Sequence, residues 1–460
     1  MPHDPDGNRL PIKLDSTSNG EFAPVPLDPV NRAANRLAQT LAGENARRCG
    51  LGRRAFMLSA CGAATTLLAF NETNAAAGRT GGYYDLPQVA ALDPAAAAAR
   101  LDGREFVFDV QGHFVGVNGL GRTGLGDSDQ FIQDIFLDSD TDMMVLSFIP
   151  SRRETEYLTI QEADATRRIV DRMDGTHRLL LHGRVNPNQP GDLEDMDELA
   201  ERWGVVAWKC YTQWGPDGRG FFLHDDTGLR LIEKARRLGV RTICIHKGLP
   251  FGRRSYKHSL CTDIGVVAKM FPDVNFLVYH SGFISGQPEG PYDPDRGEGV
   301  DELIRSVEAN GVPRNGNVYA ELGSTWRFLM RDPDSAAHLI GKLVKHIGDR
   351  NVLYGSDCIW YGSPQDQIQA LRSFQISEAL RERHGYPALT PTLRAQIFGL
   401  NAARVYGVDL DEVLQRARAD RVERQRAEYR ENPDPHFLTF GPKTRREFLA
   451  NLKARGGSPV

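Results

Sequence analysis

No Cys-x-x-Cys pair occurs anywhere in the 460 residues, and the six cysteines (Cys49, Cys61, Cys210, Cys244, Cys261 and Cys358) are scattered. That spacing excludes a zinc ribbon and a dithiol redox motif. Cys210, Cys244 and Cys358 sit in or beside apolar runs and read as small buried thiols. No block of basic residues interleaved with aromatics stands out, and the formal net charge is only −4, so a nucleic-acid partner is not expected. No Gly-x-Gly-x-x-Gly follows an early strand and opens a helix, which argues against a dinucleotide-binding sheet. The one apolar stretch that suggests a membrane, 55–70 (AFMLSACGAATTLLAF), is 16 residues long, short of the roughly 20 needed to span a bilayer. What is present is an ordinary globular balance, 40% hydrophobic and 25% charged, able to bury a core without disulfide or metal staples.

Residues 1–50 are rich in Pro, Asn, Asp and Arg and show no apolar period, so they read as a disordered leader. Gly52-Arg53-Arg54 then directly precedes the uncharged run, and a small-residue site follows at Ala75-Ala76-Ala77. The arrangement resembles a twin-arginine signal peptide cleaved after about Ala77. That resemblance implies export to the periplasm, with no stable membrane insertion after cleavage. A buried helix or a retained anchor is the alternative. Leu58-Ser59-Ala60-Cys61 resembles a lipoprotein box but lies too close to the arginines. Thr444-Arg445-Arg446-Glu447-Phe448-Leu449 matches the arginine motif better still, yet charged residues follow it, so it reads as a terminal helix. The apolar run gives the first match its specificity.

From about residue 104, β-rich runs alternate with helical stretches. Eight candidate strands are 105–111, 142–149, 177–185, 204–211, 240–246, 274–280, 317–322 and 351–356. Most are continuous apolar runs, the pattern of strands covered on both faces. Helical patterns such as 226–238 and 299–310 lie between them, so the units are βαβ. Eight units over about 300 residues predict an α/β fold, a (β/α)₈ TIM barrel spanning 104–407. The charged segment 408–460 is expected to form a helical tail that packs outside the barrel or mediates association, a homo-oligomer included.

Polar residues recur where these strands end: Asp109-Val110-Gln111-Gly112-His113, Lys209, His246, His280, Glu321 and Gly355-Ser356-Asp357. A closed parallel barrel brings all its strand C-termini to one rim. Three imidazoles and a carboxylate there can offer a divalent metal nitrogen and oxygen ligands. Lys209, Glu321, Trp360 and Arg253, with Arg254 beside it, are the candidates for binding substrate. The aromatics Trp208, Trp214, Trp326, Trp360 and Tyr361 suit a planar anionic small molecule, or simply cover barrel and loop surfaces. The Gly-rich loop 116–130 is a candidate lid.

The order Asp-x-Gln-x-His, Lys, His, His, Gly-Ser-Asp, closed by Ile397-Phe398-Gly399-Leu400-Asn401-Ala402-Ala403-Arg404, resembles the amidohydrolase superfamily over roughly 105–407. The likeness is greatest to the amidohydrolase-related branch that also holds non-oxidative decarboxylases. It implies one divalent metal, zinc first and manganese second, held by His113, His246 and Asp357, with Gln111 as a further candidate ligand. Asp357 would also carry a proton, and His280 would be the second acid/base. Lys209 falls where some members use a carbamylated lysine, although a salt-bridging or substrate-binding role is the plainer reading. The sequence departs from the family at Gln111, where His or Glu is usual. A neutral amide predicts weaker metal binding than a histidine would give. The leading expectation is hydrolysis by metal-activated water. Decarboxylation of an aromatic or unsaturated acid, and a metal-free, non-catalytic barrel, are the alternatives.

Overall fold

The computed structural model describes residues 4–18, 22–116, 127–174, 177–250, 256–417, 420–435 and 442–454. Eight parallel strands follow one another around a ring: β2 (Phe108–Gly112), β3 (Met143–Leu146), β4 (Leu179–Arg184), β5 (Ala207–Tyr211), β6 (Thr242–His246), β7 (Asn275–Tyr279), β8 (Val318–Glu321) and β9 (Val352–Leu353). The first and last are joined where Val110 N donates to Tyr354 O (3.2 Å) and Asp357 N donates to Gln111 O (3.0 Å). All eight expected strands are present, with helices between them, and the architecture is the TIM barrel. A short strand β1 (Gly82–Tyr84) precedes the ring and pairs antiparallel with β10 (Phe374–Ile376), outside it.

Strand alternation divides the apolar residues between two cores. Phe108, Val110, Met143, Val145, Ala207, Cys244, Leu277, Tyr279 and Leu353 pack in one cluster inside the barrel. Their neighbours of opposite parity, such as Met144, Leu146, Trp208, Ile243, Phe276 and Val278, join the larger cluster between strands and helices. Cys210, Cys244 and Cys358 are buried free thiols.

The chain before the barrel departs from the expectation of disorder. Pro29–Arg48 is a helix, begun by the Asp28 side chain accepting from Asn31 N. Its buried stripe is Ala34, Ala38, Ala42 and Ala46, four residues apart and so on one face. Alanine carries too little hydrophobicity to register as an amphipathic period, which is why the sequence hides this helix. It packs against a second helix, Ala60–Ala76, and Asn45 Nδ2 donates to Thr65 Oγ1 across the pair (3.2 Å). Among the described residues no helix is long and apolar enough to cross a membrane.

The tail is helical over Leu410–Ala417, Arg421–Glu431 and Arg445–Ala454. It docks on the outside of the barrel: Arg178 Nε donates to Asp420 Oδ2 (2.8 Å), both side chains being buried, and Tyr429 Oη donates to Asp138 Oδ1 (2.9 Å).

Candidate active site at the barrel mouth

β2 carries an irregularity between Asp109 and Gly112, where its register against β3 shifts. Phe108 and Val110 face the inner core. Strict alternation would then turn Gln111 and His113 outward, and one extra residue reverses the parity. The Asp109 carboxylate holds this bulge: its Oδ1 accepts from Gln111 N (3.1 Å) and from Ser356 N (2.9 Å). Burial pushes the Asp109 carboxyl up to about 7.

Past the bulge, three side chains converge. Gln111 Nε2 donates to Asp357 Oδ1 at 2.9 Å and lies 3.2 Å from His113 Nε2, and His113 Nε2 is 3.2 Å from Asp357 Oδ1. His113 Nδ1 is 3.1 Å from Ser147 O. A carbonyl can only accept, so Nδ1 carries a proton and donates it to Ser147 O. The second carboxylate oxygen of Asp357 accepts from the Ser324 hydroxyl, which lies 2.7 Å from Tyr361 Oη. Burial alone would raise the Asp357 carboxyl. The contact with His113 and the Ser324 hydroxyl outweigh it and hold the group below its ordinary value.

His246 and His280 form a second pair. His280 Nδ1 donates to Gly323 O (2.7 Å), which leaves its Nε2, 3.2 Å from His246 Nδ1, as the acceptor. Tyr211 stacks on His246 with ring centroids 4.8 Å apart. Burial pulls His246 well below the usual imidazole range and His280 down to about 4, so both rings are neutral at pH 7. His280, Ser281, Ser324 and Asp357 all have φ between 52° and 65°. Left-handed backbone at non-glycine residues costs of order 1–3 kcal/mol each and clusters at functional sites.

His113, Asp357, His246 and His280 are therefore gathered at one mouth, but as two groups: His113 and Asp357 with Gln111, and His246 with His280. Among the described residues no three His, Cys, Asp or Glu side chains come together as a metal cage, because the third corner beside His113 and Asp357 is an amide. The triangle of Gln111, His113 and Asp357 has edges of 2.9–3.2 Å. Two ligands on one tetrahedral zinc stand about 3.3 Å apart. Gln111 Oε1 is buried without a hydrogen-bond partner, so turning the amide end over end would bring an oxygen to the triangle. The donor set fits a single divalent ion.

Lys209 lies beneath the mouth, fully buried, its Nζ 3.5 Å from the centroid of the Tyr279 ring. Trp360 is beside His113, with ring centroids 6.0 Å apart. Trp208 and Trp326 do not belong to the rim: their indoles donate to Val240 O and Gln367 O, both at 2.9 Å, within the outer core. Trp208 precedes Lys209, and alternation sends it outward. Arg253 and Arg254, and 117–126 of the candidate lid, lie outside the described residues. Glu321 supports rather than lines the site. Its carboxyl accepts from His280 N (2.9 Å) and Gly323 N (2.6 Å). It also fills the space where a side chain on Gly355 would begin, 1.7 Å from that Cβ position, which explains the glycine of Gly-Ser-Asp.

The sequence reading assigned no role to Asp109 or Ser324 and placed Tyr361 only among the aromatics. The Asp-x-Gln-x-His spacing held the signal for Asp109. Nothing local marks Ser324, whose role depends on the fold.

Comparison with known families makes the class explicit. The chain belongs to the amidohydrolase family, which matches over residues 134–408. The match takes in His246, His280 and Asp357 and begins after β2. Among solved structures the chain is similar to 2,6-dihydroxybenzoate decarboxylase from Rhizobium (16% identity over 66% of this chain and 99% of that one, TM-score 0.41). It is also similar to 4-oxalomesaconate hydratase from Rhodopseudomonas palustris (16%, 67% and 98%, TM-score 0.40). A third is dihydropyrimidinase from Brevibacillus agri (13%, 66% and 71%, TM-score 0.41). None of the curated proteins matches it.

Burial pushes Glu321 from 4.5 up to about 8. The folded protein thus holds this proton more tightly than the unfolded chain. Glu321 therefore costs stability progressively as pH rises from about 4.5 to 8, and the slope ends above that. Glu321→Gln is expected to remove this slope, so its melting temperature should gain on the wild type between pH 5 and pH 8. Parallel curves across that range would show that Glu321 is already ionised in the fold.

Proposed function

We propose that this chain is an amidohydrolase-type hydrolase of a small carbonyl substrate, in which Asp357 moves the proton at a site that takes one divalent ion. The observation that carries the reading is the triangle of Gln111, His113 and Asp357 at the rim where barrels of this kind act. Asp357 is the only carboxylate in that triangle, and its charged form is the favoured one. It accepts a proton from the attacking water and returns it to the leaving group. Ser324, itself in contact with Tyr361, holds the second carboxylate oxygen and fixes the orientation of the carboxylate. The neutral His280 and His246 present imidazole groups that can donate to or accept from an oxygen without adding charge. Trp360 walls the side beside His113.

Members of this superfamily generally bind divalent metals. Here His113, Asp357 and the Gln111 oxygen would hold the ion, zinc before manganese, with His246 as the family-derived fourth candidate. Such an ion would supply Lewis acidity toward a carbonyl oxygen and toward water.

Asp357→Asn is expected to cut turnover by ~10³-fold on any ester, lactone or amide the wild type cleaves, while the far-ultraviolet circular dichroism is retained. Unchanged turnover would remove Asp357 from the chemistry, and carbon dioxide in place of a cleaved product would move the reading to a carboxy-lyase. Gln111→His is expected to tighten zinc binding in calorimetry by exchanging a neutral amide for an imidazole. Equal affinity would take position 111 out of the ligand set.

A further inference from the structure

The segment that resembles an export leader is built into the fold, and it reaches the candidate site. Arg53 Nε donates to Gly7 O (3.0 Å) and its Nη1 to Gln39 O (3.3 Å). Arg54 Nε donates to Asp4 O (3.1 Å), and its Nη2 pairs with Asp434 Oδ1 in the tail (2.7 Å). Both arginines are thus committed within the folded chain. Most of the apolar run lies in the helix Ala60–Ala76, where every residue from Cys61 to Phe70 is buried. Its Asn71 reads the backbone of Tyr84 on β1 as a pair: Nδ2 donates to Tyr84 O (2.7 Å) and Oδ1 accepts from Tyr84 N (2.9 Å). Tyr84 in turn packs edge-on against Phe374 of β10, centroids 5.8 Å apart. Ala75 and Ala76, in the small-residue site, are helical, whereas a signal peptidase needs an extended substrate.

Upstream, residues 10–18 run along the rim beside the ends of β8 and β9. Ile12 and Leu14 are buried there. Lys13 N donates to Asp366 Oδ2 (3.0 Å) and Lys13 Nζ to Ser363 O (2.8 Å). Asp15 Oδ1 accepts from Arg327 Nη2 (2.6 Å), and Asp15 O accepts from Arg331 Nη1 (3.1 Å). Arg327 is buried, with its guanidinium 5.4 Å from the centroid of the Tyr361 ring. Tyr361 contacts Ser324, and Ser324 donates to Asp357. A buried guanidinium must keep its partner, so Asp15 fixes where Arg327 sits, and Arg327 fixes the face of Tyr361.

We infer that residues 4–76 remain on the working enzyme as a docked lobe, and that Asp15 is a positioning residue for Asp357, acting through Arg327, Tyr361 and Ser324. Removing the lobe would strip buried apolar residues from the shared core and leave Arg327 and Asp366 without their partners Asp15 and Lys13. The inference rests on the reading of Asp357 as the reacting carboxylate, but its tests need no turnover, so failure of either idea is told apart from failure of the other.

Two measurements on the full chain decide it. The first is the intact mass of folded protein from cytoplasm and periplasm of a bacterial host that carries twin-arginine machinery. The expected mass includes residues 4–76, and folded protein that begins near Gly78 would overturn the lobe. The second is hydrogen–deuterium exchange of Asp15→Ala and Asp15→Glu against wild type. Asp15→Ala should speed exchange by about tenfold in peptides covering 324–331 and 355–363, with β4 to β6 unchanged and Asp15→Glu restoring protection. Unchanged exchange in those two peptides would overturn the positioning role. So would a uniform rise across the barrel, or a failure of Asp15→Glu to restore.

Discussion

One extra residue in the first barrel strand, clipped by the Asp109 carboxylate, decides where the chemistry-bearing side chains point. Without the bulge, alternation from Phe108 and Val110 would send Gln111 and His113 toward the surrounding helices. The same carboxylate oxygen binds the backbone N–H groups of Gln111, two residues on, and of Ser356, which lies 247 residues from Asp109 and opens the turn that presents Asp357. A single acceptor thereby sets both sides of the triangle. Asp109 itself is buried among groups that donate to it, so no part of it needs to touch substrate for the site to depend on it.

Around that clip, the mouth is built from backbone held where side chains ordinarily resist it. Asp357, Ser324, His280 and Ser281 sit in left-handed conformations, and each is tied by a hydrogen bond to another strand end or to its turn. Glu321 anchors two of those turns through His280 N and Gly323 N and occupies the space that glycine leaves at 355. The eight-stranded ring supplies the rigidity that keeps such turns in place. Two neutral imidazoles on one side and a charged carboxylate on the other then face the same small volume.

The fold was legible in the sequence because buried parallel strands announce themselves as continuous apolar runs, and all eight did. His113, His246, His280 and Asp357 were also legible, since strand ends of one barrel must share a rim. Their pairing was not. Which nitrogen faces which neighbour depends on carbonyls such as those of Ser147 and Gly323, and no sequence pattern marks them. The helix Pro29–Arg48 escaped notice because its buried stripe is alanine. Composition groups Trp208 with aromatics that suit a planar substrate, but strand parity sends it to the outer core, whereas Lys209, one residue on, points inward.

The account stands on Gln111 and His113 being turned by the bulge onto the carboxylate of Asp357. Anomalous diffraction from crystals of the full chain equilibrated with zinc tests this directly. The expected result is a single peak bonded to His113 Nε2, Asp357 Oδ1 and a Gln111 amide whose oxygen faces inward. A peak seated on His246 and His280 alone, or electron density with Gln111 and His113 directed into the helical layer, would contradict it.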